Sequence, residues 1–351
     1  MTRVSTPVIP VAASLMKTDS YLCQQMKHVL VTGGAGFIGS HLLKALLEKG
    51  DIKISCIDNF DDFYSRKQKE QNIREFSRNK NFKLIEGDIR EASSYHRIDN
   101  DVDTIVHLAA KAGVRPSIKN PVLYLDVNIR GTQMLLEYAR LKSVRQFVFA
   151  SSSSVYGIND NVPWKENEHL MPISPYASTK LSGEMLGHVY SHLYGVRFLA
   201  LRFFTVYGPS QRPDLAIHKF LKSILNDQPI PVFGDGSSSR DYTYVDDVIK
   251  GIMGAMDYND SAFEIINIGN NKTVTLKELI MAIEKVCGKK AIIDRQPEQP
   301  GDVPRTCADI SKARQLLGYN PSTELNIGLA EFYQWFREFA DAGERLYPRP
   351  L

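Results

Sequence analysis

The feature that most constrains the fold is a short apolar strand that runs directly into a glycine-rich turn and then into a helix. The strand is "HVLVTG" (28–33), and apolar residues recur at helical spacing from Phe37 to Leu47. Further apolar strands alternate with helical stretches along the chain: "IKISCID" (52–58), "FKLIEGD" (82–88), "DTIVHLAA" (103–110), "RQFVFAS" (145–151) and "VRFLALRFF" (196–204). This alternation predicts right-handed crossovers and an α/β fold with a Rossmann-type, doubly wound parallel sheet.

The composition along the chain predicts three segments. Residues 1–26 contain an apolar stretch that Pro7 and Pro10 interrupt, which predicts an N-terminal arm or disordered leader and argues against a signal peptide. Residues 27–204 carry the alternation of strands and helices and are the predicted nucleotide-binding domain. In 205–345 proline, glycine and charged residues become denser. We expect this last segment to form mainly a smaller C-terminal α/β substrate lobe, with some elements returning to the sheet.

The composition and charge of the 351-residue chain exclude several classes of partner. Its formal net charge is +3 and no Lys/Arg block stands out, so nucleic acid is not an expected partner. No apolar run approaches the roughly 20 residues that span a bilayer, which argues against membrane insertion. The histidines show no ligand spacing, so no metal site is predicted. The cysteines lack CxxC spacing, which favours reduced thiols and a cytoplasmic location; they are Cys23, Cys56, Cys287 and Cys307.

The glycine-rich turn predicts a dinucleotide site. Gly33, Gly36 and Gly39 have GxxGxxG spacing at the junction of the first strand and its helix. Glycines there let the backbone approach a pyrophosphate, while the helix N-terminus offers amide donors. Asp58 ends the second strand, where an acid is expected to bind the adenosine ribose and would repel a 2′-phosphate. The pattern therefore favours NAD over NADP, with Asp88 as a contact for the adenine amine.

A tyrosine and a lysine form the second motif. The stretch "YASTK" places Tyr176 and Lys180 on one face of a helix after the fifth strand, whose carboxyl end faces the same crevice as the glycine turn. A tyrosine acts as a base near neutral pH only if its pKa falls from about 10, and an adjacent ammonium favours the phenolate. An oxidised nicotinamide would add further positive charge. The pair therefore predicts an enzyme that moves a proton and a hydride together.

The motifs, in this order, resemble those of the extended short-chain dehydrogenase/reductases that act on nucleotide sugars. The resemblance covers about residues 27–340 and is carried by GxxGxxG, the serine run before "VYG", YxxxK, "RFFTVYGP" and "SRDYTYVDD". Within that family, "AGVR", "SSSSVYG" and "RFFTVYGPSQRPDLA" are most similar to the UDP-glucuronate 4-epimerases. Those isomerases keep NAD bound, oxidise the sugar C4 hydroxyl to a ketone, let the ring turn over and return the hydride to the other face. The resemblance implies this reaction here, in polysaccharide biosynthesis.

The resemblance also implies which residues form the site. Tyr176 would take the O4 proton and return it, Lys180 would hold the nicotinamide ribose, and Ser152 would hydrogen-bond the same oxygen. These three are the expected catalytic residues. The residues expected to bind NAD are Gly33, Gly36, Phe37, Ile38, Asp58, Asn59, Asp88, Ile89, Leu108, Ala109, Ala110, Lys111, Tyr176 and Lys180. The residues expected to bind the UDP-sugar are Arg115, Ser152, Ser153, Ser154, Tyr176, Thr205, Arg212, Phe233, Arg240 and Asp302.

Hydroxyl side chains at the sugar end bear on the choice of substrate. Ser153 and Ser154 are expected at the C5 substituent, and Thr205 stands where galactose epimerases of this family usually have Asn. Together these hydroxyls would donate to a carboxylate, and Arg212 fits a diphosphate or a uronate. Ser154 has an alternative role, which is to satisfy backbone groups at the strand end.

The nucleotide end has its own expected contacts. Arg240 would hold the diphosphate, Asp302 the uridine ribose, and Phe233 would flank the uracil. Each also fits a plainer role as part of a loop salt bridge or as a core aromatic.

Several alternatives to UDP-glucuronate 4-epimerisation stay open. The first is a 4-epimerase of UDP-glucose or UDP-N-acetylglucosamine, and the second is a UDP-glucuronate decarboxylase. A dehydratase needs an Asp-Glu pair after the catalytic serine, where this chain has Ser153 and Ser154. A non-enzymatic NAD sensor is disfavoured because the catalytic residues are intact. Many relatives pair two long helices per subunit, so 122–142 and 175–194 predict a homodimer.

Overall fold

The structure is a computed structural model that describes residues 27–297 and 303–343, so the expected leader (1–26) and Asp302 lie outside the described residues. Its strands are β1 (Lys27–Thr32), β2 (Ile52–Asp58), β3 (Phe82–Glu86), β4 (Thr104–His107), β5 (Gln146–Ser152), β6 (Arg197–Phe203), β7 (Thr205–Tyr207), β8 (Pro229–Phe233), β9 (Ser239–Tyr244), β10 (Phe263–Ile268), β11 (Thr273–Thr275) and β12 (Ile292–Gln296). Its helices are α1 (Phe37–Glu48), α2 (Arg66–Ile73), α3 (Ala92–Tyr95), α4 (Val114–Lys119), α5 (Pro121–Tyr124), α6 (Gly131–Leu141), α7 (Pro175–Tyr194), α8 (Ala216–Leu225), α9 (Val245–Asp257), α10 (Leu276–Cys287), α11 (Ser311–Leu317) and α12 (Leu325–Gly343).

The main sheet has seven parallel strands in the order β10-β6-β5-β4-β1-β2-β3. Both of its faces are covered, because Val29 and Val31 of β1 belong to the core on one face and Leu30 belongs to the core on the other. Helix α1 contributes Leu42 to the first core, and α6 contributes Leu135 to the second. The predicted α/β class with a doubly wound, Rossmann-type parallel sheet is therefore confirmed.

The strand ends differ from the sequence prediction in a way that shapes the cleft. The fourth strand was expected to continue to residue 110, but β4 ends at His107. Its continuation, Leu108 to Ala110, passes against the turn after β1, where the Leu108 amide donates to the Thr32 carbonyl at 3.1 Å. In a parallel sheet such segments after the carboxyl ends of strands are where ligands bind.

The predicted helix over 122–142 is interrupted in the structure. Helices α5 and α6 flank a π-helical turn over Leu125–Arg130, and a turn of this kind inside a helix often lies at a functional site. Helix α7, by contrast, has both of its predicted ends. The Ser174 hydroxyl accepts from the Ala177 amide at 3.2 Å, and Gly195 adopts a left-handed φ of 69° after the last turn.

A smaller group of elements follows β6 in the chain. Strands β11, β9 and β7 form a three-stranded sheet, and β12 pairs with β8 in a two-stranded one. The carboxylate of Asp241 in β9 accepts hydrogen bonds from the amides of Asn270, Asn271 and Ala308 at 2.7–3.0 Å, which ties the segments after β10 and before α11 to β9. Strand β10 lies in the same part of the chain but joins the main sheet. Across the described ranges, no helix has the combination of length and apolarity needed to cross a membrane.

Candidate active site

A cleft of about 470 Å³ opens at the carboxyl ends of the central strands of the main sheet. Its walls come from the turns after β1 to β6, together with the start of α7. The structure brings most of the expected site residues together in its lining: Gly33, Gly36, Phe37, Ile38, Asp58, Asn59, Asp88, Ile89, Leu108, Ala109, Ala110, Lys111, Ser152, Ser153, Ser154, Tyr176, Lys180, Thr205 and Arg212.

The turn between β1 and α1 has the shape that a dinucleotide requires. Gly33 has a φ of +74°, and a Cβ added there would lie 2.7 Å from the Ala109 amide nitrogen. A Cβ on Gly39 would lie 2.2 Å from the Gly33 carbonyl oxygen, so any larger residue would push α1 away from the turn. The bare backbone and the N-terminus of α1 therefore line the cleft directly, and the residues present fit a pyrophosphate.

Asp58 ends β2 with a buried carboxylate that orders the turn. Its oxygens accept hydrogen bonds from the Ala35 and Phe60 amides, both at 2.9 Å. Burial raises the pKa of Asp58, although these two hydrogen bonds oppose the rise. The carboxylate thus shapes the glycine turn at the same time as it borders the expected ribose position.

Asp88 lies beside Asp58 at the same end of the cleft. Its carboxylate accepts from the Arg90 guanidinium at 2.7 and 2.9 Å and from the Asn59 amide group at 3.0 Å. The hydrogen bonds from Arg90 are the main cause of a pKa lowered to about 2. Asp88 therefore presents an ionised acceptor, which suits an amine donor such as that of adenine.

The segment between β2 and α2 contributes residues to the cleft that the sequence reasoning missed. The Lys111 ammonium pairs with the Asp61 carboxylate at 2.6 Å, and Lys69 donates to the carbonyl of the same residue. Phe63 and Tyr64 line the cleft beside them. These residues lie in a polar stretch, "DDFYSRKQKE", that has no apolar periodicity to distinguish it from a solvated loop.

Ser152, Tyr176 and Lys180 meet in the interior half of the cleft. The Lys180 ammonium donates to the Ala150 carbonyl at 2.7 Å and lies 5.9 Å from the centre of the Tyr176 ring. Burial lowers the pKa of Lys180 to about 8, against an opposing effect of the Glu184 charge. Ser152 hydrogen-bonds the Tyr176 hydroxyl.

The pKa of Tyr176 was expected to be lowered, but in the structure it is raised. Burial raises it, and the hydrogen bond from Ser152 and the charge of Arg212 only partly oppose that rise. The reason is geometric, because the Lys180 ammonium is directed at the Ala150 carbonyl instead of the phenol oxygen. Desolvation by the surrounding protein thus has the largest effect on the pKa of Tyr176. A cationic ligand in the cleft would lower that pKa.

The serine run changes direction within the cleft. Strand β5 ends at Ser152, and Ser153–Tyr156 form a 3₁₀ turn. The Ser152 hydroxyl oxygen accepts from the Ser154 amide at 3.2 Å and from the Ser154 hydroxyl at 2.9 Å. Ser152 thus caps the turn that carries the next two serines, and Thr205 faces the same cleft from the start of β7.

Among the described residues, three further expected substrate contacts, Arg115, Phe233 and Arg240, are not part of the lining of this cleft. The Arg115 guanidinium lies 5.2 Å from the centre of the Phe233 ring, so these two expected contacts touch each other. Arg240 lies in β9 and donates to the Ser239 carbonyl at 2.9 Å. Arg212 does line the cleft, where it pairs with Asp214 at 2.9 Å and lies 5.4 Å from the centre of the Phe63 ring.

The arrangement can move a proton on and off a hydroxyl beside a dinucleotide. A tyrosine, a serine and a buried ammonium surround one point of the cleft, while the glycine turn and Asp58 border another. The same wall carries neutral hydroxyls and one arginine, which are suited to a polar, anionic second ligand. The geometry therefore indicates oxidation and reduction of an alcohol on a phosphorylated or carboxylated substrate.

Comparisons with known proteins agree with this chemistry. Residues 30–332 match the family described as GDP-mannose 4,6-dehydratase. Protein CapI of Staphylococcus aureus is 40% identical over 330 residues, which cover 89% of this chain and 98% of that protein. A UDP-glucuronate 4-epimerase of Thermodesulfobacterium geofontis is 39% identical over 317 residues, which cover 89% of this chain and 97% of that protein. The crystal structure of a tyrosine-to-phenylalanine variant of a UDP-glucuronic acid 4-epimerase from Bacillus cereus, with NAD and UDP-4-deoxy-4-fluoro-glucuronic acid, matches with a TM-score of 0.85 at 40% identity. The match covers 89% of this chain and 99% of that chain.

Replacing Asp58 tests the dinucleotide end of the cleft. Asp58→Ala is expected to lower the NAD content of the purified protein at least several-fold, because the ribose loses its acceptor and two turn amides lose theirs. The measurement is nucleotide released on denaturation, quantified by chromatography. Asp51→Ala, at an exposed acid just before the same strand, is the matched control and is expected to retain NAD. Equal NAD content in both variants would contradict the assignment.

Proposed function

The chain belongs to the GDP-mannose 4,6-dehydratase family of extended short-chain dehydrogenase/reductases, and from that premise we propose that it is a UDP-glucuronate 4-epimerase. It converts UDP-glucuronate into UDP-galacturonate through a 4-keto intermediate, with NAD as a resident cofactor. The observation that carries the proposal is that one cleft holds the glycine turn, the catalytic group of Ser152, Tyr176 and Lys180, and a wall of neutral hydroxyls.

The chain's own groups handle the proton of the reaction. NAD supplies the hydride chemistry, since it takes a hydride from C4 and gives it back. Tyr176 accepts the O4 proton as the ketone forms and returns it when the alcohol is restored, while Ser152 holds the phenol oxygen in place. Lys180 keeps positive charge next to Tyr176 and holds the nicotinamide ribose. Because each group ends the cycle in its starting state, no external cofactor is consumed.

The wall of hydroxyls supports a uronate in place of a neutral sugar. Oxidation at C4 makes the substrate a β-keto acid, which loses CO₂ when its carboxylate bond lies perpendicular to the ketone plane. Ser153 and Thr205 can donate hydrogen bonds that hold the carboxylate away from that orientation, and Ser154 can do so when its hydroxyl turns away from Ser152. They carry no charge, so they do not trap the sugar in one orientation and the ring can turn over.

Contacts farther along the substrate complete the proposal. Arg212, which lines the cleft beside the catalytic group, binds the diphosphate or the uronate. Arg115, Phe233, Arg240 and Asp302 serve the nucleotide end. We place the enzyme in the cytoplasm because the described cysteines, Cys56, Cys287 and Cys307, are free thiols.

The proposed active form is a homodimer. Helices α5 to α7 leave large apolar side chains exposed along one side, among them Val122, Leu141, Met185, Val189 and Leu193. Apolar groups so placed on adjacent helices would be buried by the same helices of a second copy, in a four-helix arrangement.

The proposed reaction is tested by supplying UDP-glucuronate without added NAD. The purified enzyme is expected to form UDP-galacturonate, identified by NMR, because its hydride donor is resident and regenerated. Tyr176→Phe is expected to keep the fold and the bound NAD but to lose roughly 10²–10⁴-fold in turnover, since it removes the positioned proton carrier. Consumption of external NAD in proportion to product, or faster turnover of UDP-glucose or UDP-N-acetylglucosamine, would contradict the assignment.

The hydroxyl wall is tested by the ratio of two products. Ser153→Ala, Ser154→Ala and Thr205→Ala are expected to slow epimerisation and to raise leakage to a decarboxylated 4-keto pentose about tenfold, because a hydrogen bond to a charged group contributes roughly 1.5–3 kcal/mol. Ser152→Ala is the matched comparison and is expected to slow oxidation with little change in the ratio. Mass spectrometry gives both products. An unchanged ratio in the Ser153→Ala/Ser154→Ala double variant would remove the carboxylate role from these serines.

The homodimer is tested by its mass in solution. Light scattering is expected to give twice the mass of the 39.6 kDa chain. Val189→Glu in α7 is expected to yield the monomer, because burying the new carboxylate in an apolar interface is unfavourable. Ile327→Glu, at an exposed apolar position of α12, serves as the control and is expected to remain dimeric. A wild-type protein that is monomeric, or two variants that behave alike, would contradict the proposed interface.

A further inference from the structure

A row of polar side chains crosses the main sheet beneath α7, behind the cleft. Ser151 of β5, Arg202 of β6 and Asn267 of β10 are neighbours in register. Arg202 pairs with Glu184 of α7 through two hydrogen bonds of 2.9 and 2.8 Å, and the two side chains are 1% and 0% exposed. Because the desolvation of two charges can offset their attraction, stability alone is a weak explanation for such a pair.

The pair is joined to the active site through α7 and β5. Glu184 follows Lys180 by one helical turn, so both side chains reach the sheet from the same face of α7. The Lys180 ammonium donates to the Ala150 carbonyl at 2.7 Å, and the hydroxyl of the next residue, Ser151, donates to Glu184. Adjacent residues of one strand thus fix the ammonium and the carboxylate. Burial lowers the pKa of Lys180, and the charge of Glu184 opposes that lowering.

The other ionisable groups around this site lie on β4, on α7 itself and on β6. His107 of β4 stays neutral near physiological pH because burial, together with the charge of Lys180, lowers its pKa to about 3. Tyr176 precedes Lys180 on α7 and is influenced by Arg212. Arg202 is held on β6 by Glu184, by the Tyr156 hydroxyl at 3.0 Å and by the Glu166 carbonyl at 3.1 Å.

We propose that the Glu184–Arg202 pair sets the charge of the active site from behind the sheet, with Glu184 as a positioning residue that keeps Lys180 charged beside Tyr176. Arg202 has the complementary role. Without Arg202, the Glu184 carboxylate would favour the ammonium of Lys180 but would also disfavour the phenolate of Tyr176. The Arg202 guanidinium offsets the negative charge and so limits its effect on the phenolate. The pair therefore determines the pH range in which the enzyme is active. This inference rests on the proposed epimerase function.

The test removes each charge in turn and follows the pH profile of turnover. Glu184→Gln is expected to move the whole profile to lower pH by roughly one unit, because a site that has lost a negative charge releases protons from Tyr176 and Lys180 more readily. Arg202→Met is expected to move it to higher pH for the opposite reason. Arg202→Lys keeps the positive charge but loses the bidentate hydrogen bonding to Glu184, so its pH profile is expected to stay unchanged. The Glu184→Gln/Arg202→Met double variant is expected to return towards the wild-type profile.

A second readout does not depend on turnover. The phenolate of Tyr176 is titrated by the ultraviolet difference spectrum of each protein against its Tyr176→Phe counterpart, and the same opposite shifts are expected. If turnover fell but the pH profile and the Tyr176 titration did not shift in opposite directions in the two variants, the pair would have a structural role only and the proposal would be overturned. Failure of both single variants to fold would overturn it as well. If the wild type did not act on UDP-glucuronate, the proposed function would fail, while the Tyr176 titration would still decide the role of the pair.

Discussion

The buried ammonium of Lys180 is the interaction on which the arrangement of the active site depends. It is 4% exposed, and it reaches a carbonyl of β5 because α7 packs closely against the sheet. That closeness requires a glycine, since a Cβ on Gly183 would lie 2.3 Å from the Phe149 ring. The same approach brings Glu184 onto Ser151 and Arg202, so the packing that buries the lysine also places a carboxylate that acts on its charge. Tyr176, one turn earlier on α7, is carried into the cleft by the same helix.

Local sequence signals predicted the elements around this centre, because each depends on neighbours in the chain. The glycine turn, the YxxxK motif and the Ser174 cap each lie within a few residues of one strand or helix. The order of the sheet and the place of β10 beside β6 depend on pairing between distant segments, and the periodicity of a single strand does not encode them. The π-helical turn at Leu125–Arg130 was missed for a related reason, since its residues continue an ordinary helical pattern.

The missed cleft residues include charged side chains that turn inward as well as the aromatic residues Phe63 and Tyr64. Lys69 belongs to a run of polar residues typical of a solvated helix, yet it is 6% exposed and lies over the Tyr64 ring. Its burial depends on Asp61, whose carbonyl it contacts and whose carboxylate is paired with Lys111. Asp61 lies in the same run, but Lys111 comes from the segment after β4, so the spacing of the run alone does not reveal this cluster. Arg115 and Phe233 lie far apart in the chain, and the structure brings them into contact, which neither of their local sequence motifs encodes.

The central claim is that the hydride and the proton of one alcohol are held within one cleft throughout the reaction. The most direct test is to supply UDP-glucuronate that carries deuterium at C4 and to follow the label in the product in ordinary water with excess unlabelled NAD. The account predicts that deuterium is retained at C4 of UDP-galacturonate, with none in the added NAD, because the hydride leaves and returns without release of the cofactor. Loss of the deuterium to water or to the added NAD would contradict it.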